Sequence, residues 1–206
     1  MIKGDNAIES DNHPHNVEIE SKEIVFDDFF QMEEAHLRVE QFDGTMSKTI
    51  RRLSFERGDG VAALVVNVEA QTVVFVEQFR YPTLKNGDGW IIEVIAGMLK
   101  PDESPQACMR REILEETGYR VRTLRHLSTF YTSPGGTSER IFLFYGEVTG
   151  ADRVAEGGGA AHESEDIRVL EIPLENVWNG LATGQFQDAK TLIALMRLKE
   201  RFRHVE

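Results

Sequence analysis

The stretch Gly97-Met98-Leu99-Lys100-Pro101-Asp102-Glu103-Ser104-Pro105-Gln106-Ala107-Cys108-Met109-Arg110-Arg111-Glu112-Ile113-Leu114-Glu115-Glu116-Thr117-Gly118-Tyr119 decides how the rest of the chain is read. Ser104 before Pro105 is a helix start: the serine oxygen caps free N–H groups, and proline sits in the first turn where its missing N–H costs nothing. Gly118 is the matching stop, because glycine accepts the left-handed conformation at a helix end. At helical spacing Glu112, Glu115 and Glu116 fall within an arc of roughly 100°. Ala107, Leu114 and Thr117 lie opposite and are expected to face a core.

Like charges so spaced repel by roughly a few tenths of a kcal/mol per pair. Grouped carboxylate oxygens suit a hard divalent cation such as Mg²⁺, which often shares its ligands with substrate phosphates. The competing reading is a solvated acidic face salt-bridged by Arg110 and Arg111. The glycine after an apolar strand, Glu103 in the loop, and the cap and stop together favour the metal. With no other evident counter-charge for the three glutamates, a divalent metal is expected to be obligatory.

Upstream, Trp90 to Ala96 reads as one apolar strand that delivers the chain to Gly97. Val61–Val68 and Thr72–Phe79 are nearly continuous β-branched runs of central-strand type. Ile24–Phe55 alternates like strands with a turn at Asp43-Gly44, which predicts a small antiparallel sheet ahead of the main domain. Gly58-Asp59-Gly60 punctuates the boundary. Downstream, strands are expected at Tyr119–His126, Arg140–Val148 and Ile167–Ile172. Helices are expected at Leu174–Ala182 and, capped by Asp188, Ala189–Arg203. Leu192, Leu195, Met196 and Leu198 give the last helix an apolar stripe for core or dimer contact. Thr149–Asp166, with Gly157-Gly158-Gly159, reads as a mobile loop.

The 206 residues suffice for one full core with a small appendage. The division expected is a flexible leader over 1–20, a dimerising β-subdomain over 21–57, and a catalytic domain over 58–206. A net charge of −12 argues against sequence-independent nucleic-acid binding. The polar N-terminus offers neither a secretory signal nor a membrane span, and His13 and His15 within it read as solvent-exposed. Cys108 is the only cysteine, which excludes an intramolecular disulfide and points to the cytoplasm.

Position by position from Gly97 to Gly118, the chain resembles the Nudix hydrolases. Tyr119 stands where that family usually has an aliphatic residue. The resemblance implies an α/β/α sandwich around a mixed sheet, here with an added N-terminal antiparallel sheet. It also implies Mg²⁺-dependent cleavage, with Mn²⁺ as a substitute, of a nucleoside diphosphate linked to another moiety. Phe29-Phe30, Phe42–Ser47, Arg51-Arg52, Phe55–Gly58, Glu77–Arg80, Ser133–Arg140 and Glu163–Asp166 narrow the resemblance to the ADP-ribose pyrophosphatases and their GDP-mannose-cleaving relatives.

By that resemblance Glu112, Glu116, Glu165 and the Ala96 carbonyl hold the metal, and Glu163 activates the attacking water. Arg80 and Glu139 meet the substrate, joined by Phe29 and Arg51 or Arg52 from a neighbouring subunit of a homodimer. Gly97, Glu103, Arg111, Glu115 and Gly118 complete the motif, with Glu103 expected to pair with Arg111 and hold the loop. ADP-ribose leads the expected substrates, followed by GDP-mannose. A catalytically silent ligand sensor and an enzyme for oxidised nucleoside triphosphates are the rivals. The intact carboxylate set and the lack of a helix-turn-helix oppose the sensor. The extra sheet and the Ser-Pro-Gly-Gly loop oppose the triphosphate enzyme.

Overall fold

A computed structural model describes residues 15–159 and 166–203, for the last three of these the backbone only. Its contacts define two units: residues 1–57 with 135–138, and residues 58–134 with 139–206. In the first unit β1 (Val17–Asp27), β2 (Gln31–Val39) and β3 (Ile50–Glu56) form an antiparallel sheet in that order. β1 begins inside the stretch read as a leader, because Val17 and Ile19 find partners in Val39 and Leu37. Phe55 N–H donates to the Gly136 carbonyl at 2.8 Å, which ties Gly135–Ser138 to this sheet.

The second unit is built on a seven-stranded mixed sheet. Its strands are β4 (Gly60–Asn67), β5 (Thr72–Phe79), β6 (Trp90–Glu93), β7 (Ile95–Met98), β8 (Leu124–Tyr131), β9 (Arg140–Val148) and β10 (Arg168–Pro173). The main path runs β10-β5-β4-β9-β8, with β4 and β9 parallel. β4 and β5 pair only from Val65↔Val74 to Asn67↔Thr72 and then part. The gap is filled from both sides, β6 pairing with β5 and β7 with β4. The run Trp90–Ala96 is therefore two strands rather than one. The break falls at Val94, whose N–H donates to Thr191 Oγ1 at 2.9 Å.

Helix α1 (Pro105–Thr117) covers one face of the sheet; α2 (Leu174–Thr183) and α3 (Ala189–Arg203) cover the other. Alternation along the strands sorts the core. Val61, Ala63, Val65, Val74 and Val76 pack with Cys108, Met109 and Ile113 of α1. Ala62, Leu64, Val73 and Phe75 pack with Val177, Phe186, Leu195 and Leu198. This is the α/β/α sandwich with a mixed sheet expected from the sequence. Met196 leaves the expected stripe of α3 and is 57% exposed, its place on the core side taken by Ala194. β8 starts at Leu124 rather than Tyr119. Tyr119 is instead buried, its hydroxyl donating to Glu171 Oε1 at 2.5 Å. Among the described residues no helix is long and apolar enough to cross a membrane.

Candidate functional site

α1 starts and stops on local chemistry. Ser104 Oγ accepts from the Ala107 N–H at 3.2 Å, and Gly118, at φ 75°, donates its N–H to the Leu114 carbonyl at 3.0 Å. The buried face differs from the expected one. It is made by Cys108, Met109, Ile113, Glu116 and Thr117, while Ala107 is exposed and Leu114 only half-buried. The apolar run on β4 and β7 selects this face, and it carries Glu116 inward to 2% exposure.

Arg111 gathers three carboxylates. Its Nε and Nη2 donate to the two oxygens of Glu103, each at 3.1 Å, a forked pair of the strong geometry. Nη1 lies 2.8 Å from Glu112 Oε1 and 3.0 Å from Glu115 Oε2. Two of the three clustered glutamates, Glu112 and Glu115, thus have a counter-charge that the sequence reading denied them, and Arg111 supplies it. Arg110 does not share the task; its Nη1 donates to the Val121 and Arg122 carbonyls at 2.9 and 3.0 Å. The Arg111 fork holds the Glu103 carboxyl down to about 2, and the carboxylates in turn raise the Arg111 guanidinium. Burial first, then the hydrogen bond with Glu103 and its charge, push the Cys108 thiol up to about 12, so it stays an inert packing group.

Gly97, which follows Ala96 in β7, is fixed by what lies over it. A Cβ there would stand 2.1 Å from both Cδ and Oε1 of Glu112, so only glycine lets that carboxylate rest on the strand. Glu112 and the buried Glu116 follow one another by a helical turn. Among the described residues no group of three or more His, Cys, Asp or Glu side chains converges as a metal site. Glu165, the third carboxylate expected, lies outside the described residues, as does Glu163. The donors present on β7 and α1 are all oxygen, a set that fits a hard divalent cation.

Within the loop expected to be mobile, the glycine run is anchored, while residues 160–165 lie outside the described residues. Gly158 N–H donates to the Glu116 carbonyl at 2.8 Å, Gly159 N–H to the Glu115 carbonyl at 3.2 Å, and Ile167 N–H to the Gly158 carbonyl at 3.3 Å. Gly157, Gly158 and Gly159 all adopt positive φ. A Cβ on Gly157 would come within 2.6 Å of the Glu116 carbonyl oxygen. The left-handed backbone thus serves to press the chain against the end of α1, meeting carbonyls that a helix terminus leaves over.

Arg80 stands at the end of β5, where its Nε donates to Glu93 Oε1 at 2.6 Å. Glu93, missed in the sequence, is 2% exposed and also meets Lys190 Nζ at 3.1 Å. Its signal was a carboxylate inside the apolar run Trp90–Ala96. Glu139, half-buried, accepts from Thr132 Oγ1 at 2.8 Å. Phe29, Arg51 and Arg52 belong to the three-stranded unit. Phe29 is 86% exposed and packs edge-on against Phe30 at 4.6 Å. Arg51 pairs with Glu34, and Arg52 Nη1 donates to the Arg51 carbonyl at 3.0 Å. In the larger unit a cleft of about 500 Å³ is lined by Glu77, Asp88, Trp90, Asp166 and Arg168, none of them among the expected site residues.

With sandwich, helix and carboxylates in place, comparison with known proteins supplies the family. The model of the NUDIX domain matches residues 56–195, and the chain belongs to the Nudix hydrolase family. It is 40% identical over 188 residues to the GDP-mannose pyrophosphatase of Cronobacter sakazakii, covering 90% of this chain and 96% of that one. It is 45% identical over 147 residues to the GDP-mannose pyrophosphatase of Citrobacter koseri, covering 70% and 75%. Among solved structures, one described as an ADP compounds hydrolase superposes with a TM-score of 0.72 at 18% identity, over 93% of this chain and 97% of that one. That likeness concerns the fold. Nudix hydrolases generally work with a divalent metal.

Proposed function

We propose that this enzyme hydrolyses the diphosphate bond of a nucleoside diphosphate sugar, with GDP-mannose the first substrate and ADP-ribose the second. The observation that carries the reading is the end-to-end 40% identity to a GDP-mannose pyrophosphatase. The helix whose Glu112 rests on Gly97 supports it. Water attack on the diphosphate gives GMP and mannose 1-phosphate from the first substrate, AMP and ribose 5-phosphate from the second.

Glu112, Glu116, Glu165 and the Ala96 carbonyl would hold the divalent cation, Mg²⁺ with Mn²⁺ as a substitute. Bound there, it neutralises diphosphate charge. Glu163 takes a proton from the attacking water. Arg80 directs a guanidinium at phosphate oxygens, and Glu139 contacts the substrate. Glu103 acts only through Arg111, whose fork keeps the loop before α1 in place.

A second copy of the chain supplies Phe29, against a nucleobase face, and Arg51 or Arg52. Residues 21–57 form the dimer contact in this reading. Its support is β1, exposed along its whole length with Val17 at 59%, Ile19 at 61% and Phe26 at 57%. A three-stranded sheet buries too little apolar surface by itself. Sedimentation of the full chain reads the stoichiometry, and a monomer with full activity overturns the shared site. The single cysteine supports a cytoplasmic enzyme, and the net charge of −12 supports one that does not bind nucleic acid.

The deciding experiment ranks kcat/KM for GDP-mannose, ADP-ribose, ADP-glucose, NADH and diadenosine polyphosphates with Mg²⁺. GDP-mannose at the head supports the reading. Pyrophosphate released from a nucleoside triphosphate at a higher rate than any sugar nucleotide is cleaved overturns it.

A further inference from the structure

A buried ion network lies apart from the carboxylates of α1. Glu93, at the end of β6, sits between two cations: Arg80 Nε at 2.6 Å and Lys190 Nζ at 3.1 Å. Lys190 in turn meets Asp188 Oδ1 at 2.6 Å. The other oxygen of Asp188 caps α3, accepting from Thr191 N–H at 2.9 Å and Thr191 Oγ1 at 2.8 Å. Thr191 is fully buried, and its hydroxyl oxygen takes the N–H of Val94 next to Glu93. The chain of contacts runs from the start of α3 through the strand break to one guanidinium.

Only the Arg80 end of it is substantially open to solvent. The Glu93 side chain is 3% exposed and Lys190 19%, but Arg80 is 41% exposed. A carboxylate so buried requires compensation, and both its oxygens are engaged by cations. The Arg80 backbone is pinned as well. Its N–H donates to the Gly89 carbonyl at 2.7 Å, and its carbonyl accepts from Thr83 N–H at 2.9 Å and Thr83 Oγ1 at 2.8 Å. Glu93 takes the Nε–H, the one guanidinium donor that lies on the inner edge of the fork. Among the described residues the guanidinium makes this one hydrogen bond, which leaves the two terminal nitrogens with donors to spare. They are the edge that grips an anion in a bidentate manner.

We propose that Glu93, itself held by Lys190 and Asp188, is a positioning residue that fixes the Arg80 guanidinium with its terminal nitrogens toward the substrate diphosphate. The proposal rests on the reading of Arg80 as a diphosphate contact. A lone arginine on a strand end samples many rotamers, and part of its binding energy goes into ordering them. Arg80 held at backbone and Nε has that ordering done in advance. Removing Glu93 therefore weakens substrate binding through Arg80, without touching the carboxylates of α1.

The test is a cycle of Arg80→Ala, Glu93→Gln and the double variant, with KM and kcat measured for GDP-mannose and ADP-ribose in saturating Mg²⁺ and thermal melting recorded for each protein. Expected are a KM raised by about tenfold or more in Arg80→Ala and by several-fold in Glu93→Gln, with kcat within about threefold, and a double variant no worse than Arg80→Ala alone. If the two KM effects multiply, Glu93 does not work through Arg80 and the proposal falls. It falls equally if Glu93→Gln lowers the melting temperature and leaves KM alone. If Arg80→Ala leaves KM unchanged, the reading of Arg80 fails first and the positioning role goes with it. Should Glu93→Gln not fold, Lys190→Met removes the second support of Glu93 and enters the same cycle. Lys190→Arg, which keeps the charge, should then restore KM toward the wild-type value.

Discussion

Two ion networks lie in the larger unit, and they are balanced differently. Around Arg111 three carboxylates, Glu103, Glu112 and Glu115, share one guanidinium, and all are partly open to solvent. Around Glu93 two cations, Arg80 and Lys190, meet two carboxylates, Glu93 and Asp188, and three of the four side chains are mostly buried. A buried network must be neutral or nearly so, because an uncompensated charge costs several kcal/mol or more in a low-dielectric interior. A half-exposed one is free to keep a surplus. The surplus of negative charge around Arg111 is thus a local affinity for a further cation, and the neutral network around Glu93 has none.

The contrast is broken most severely by chelation. Stripping divalent metal with EDTA should lower turnover of GDP-mannose by at least about 10²-fold, since the cation supplies several kcal/mol of charge stabilisation. Glu112→Gln and Glu116→Gln should each shift the Mg²⁺ activation curve to higher concentration and lose activity together. Undiminished hydrolysis in EDTA would show that the surplus charge serves no cation. Glu163→Gln tests the base separately. It should cut kcat by about 10² to 10⁴-fold with KM and Mg²⁺ activation within a few-fold. If Glu165→Gln gives that pattern and Glu163→Gln weakens metal binding, the two roles are exchanged.

The same exchange of glutamate for glutamine should weigh differently in stability. Glu93→Gln leaves Lys190 buried beside a neutral amide and should cost about 2 to 4 kcal/mol, the lower end reflecting the half-exposed Arg80. Glu103→Gln should cost about 1 kcal/mol or less, both costs being read by urea titration. Equal costs would remove the distinction between a buried, balanced network and a half-exposed one with surplus charge. Gly157→Ala lies between them. It forces a side chain into positive φ and against the Glu116 carbonyl, for a loss of about 1 to 3 kcal/mol. A neutral Gly157→Ala would mean that the anchored glycine run is not holding the end of α1.

What could be read from the chain was what depends on near neighbours. The ends of α1 follow from Ser104, Pro105 and Gly118, each acting within a turn, and the runs at Val61 and Thr72 are strands by composition alone. The buried face of α1 was misassigned because the strands beneath it decide it, not the helix's own alternation. The break at Val94 had no local mark, since the hydroxyl that takes its N–H lies on α3. Gly157 to Gly159 look flexible in isolation because glycine is permissive, yet the carbonyls of Glu115 and Glu116 fix them. The counter-charge of the motif glutamates was in plain view as Arg111. Its reach to three partners at once appears only when Glu103 is brought back onto the helix.

The smallest effect concerns Glu103 and acid. Its carboxyl ordinarily titrates near 4.5 and is held at about 2 by the Arg111 fork. A carboxyl depressed by folding adds stability that is fully present above its unfolded value and is lost as pH falls through the folded one. Wild type should therefore lose the Glu103 contribution between roughly pH 4.5 and 2. Other carboxyls lowered by partners, such as Asp59 beside Arg140 and Asp188 at the start of α3, fall away in acid too. The informative quantity is thus the difference in melting temperature between wild type and Glu103→Gln, followed from pH 7 downward. That difference should be constant above about pH 5 and shrink steadily below it, because the variant has no proton to take up at this position. A difference that stays flat to pH 2 would mean that Glu103 holds the loop by shape rather than charge, and the Arg111 network would then be one anion smaller than its geometry suggests.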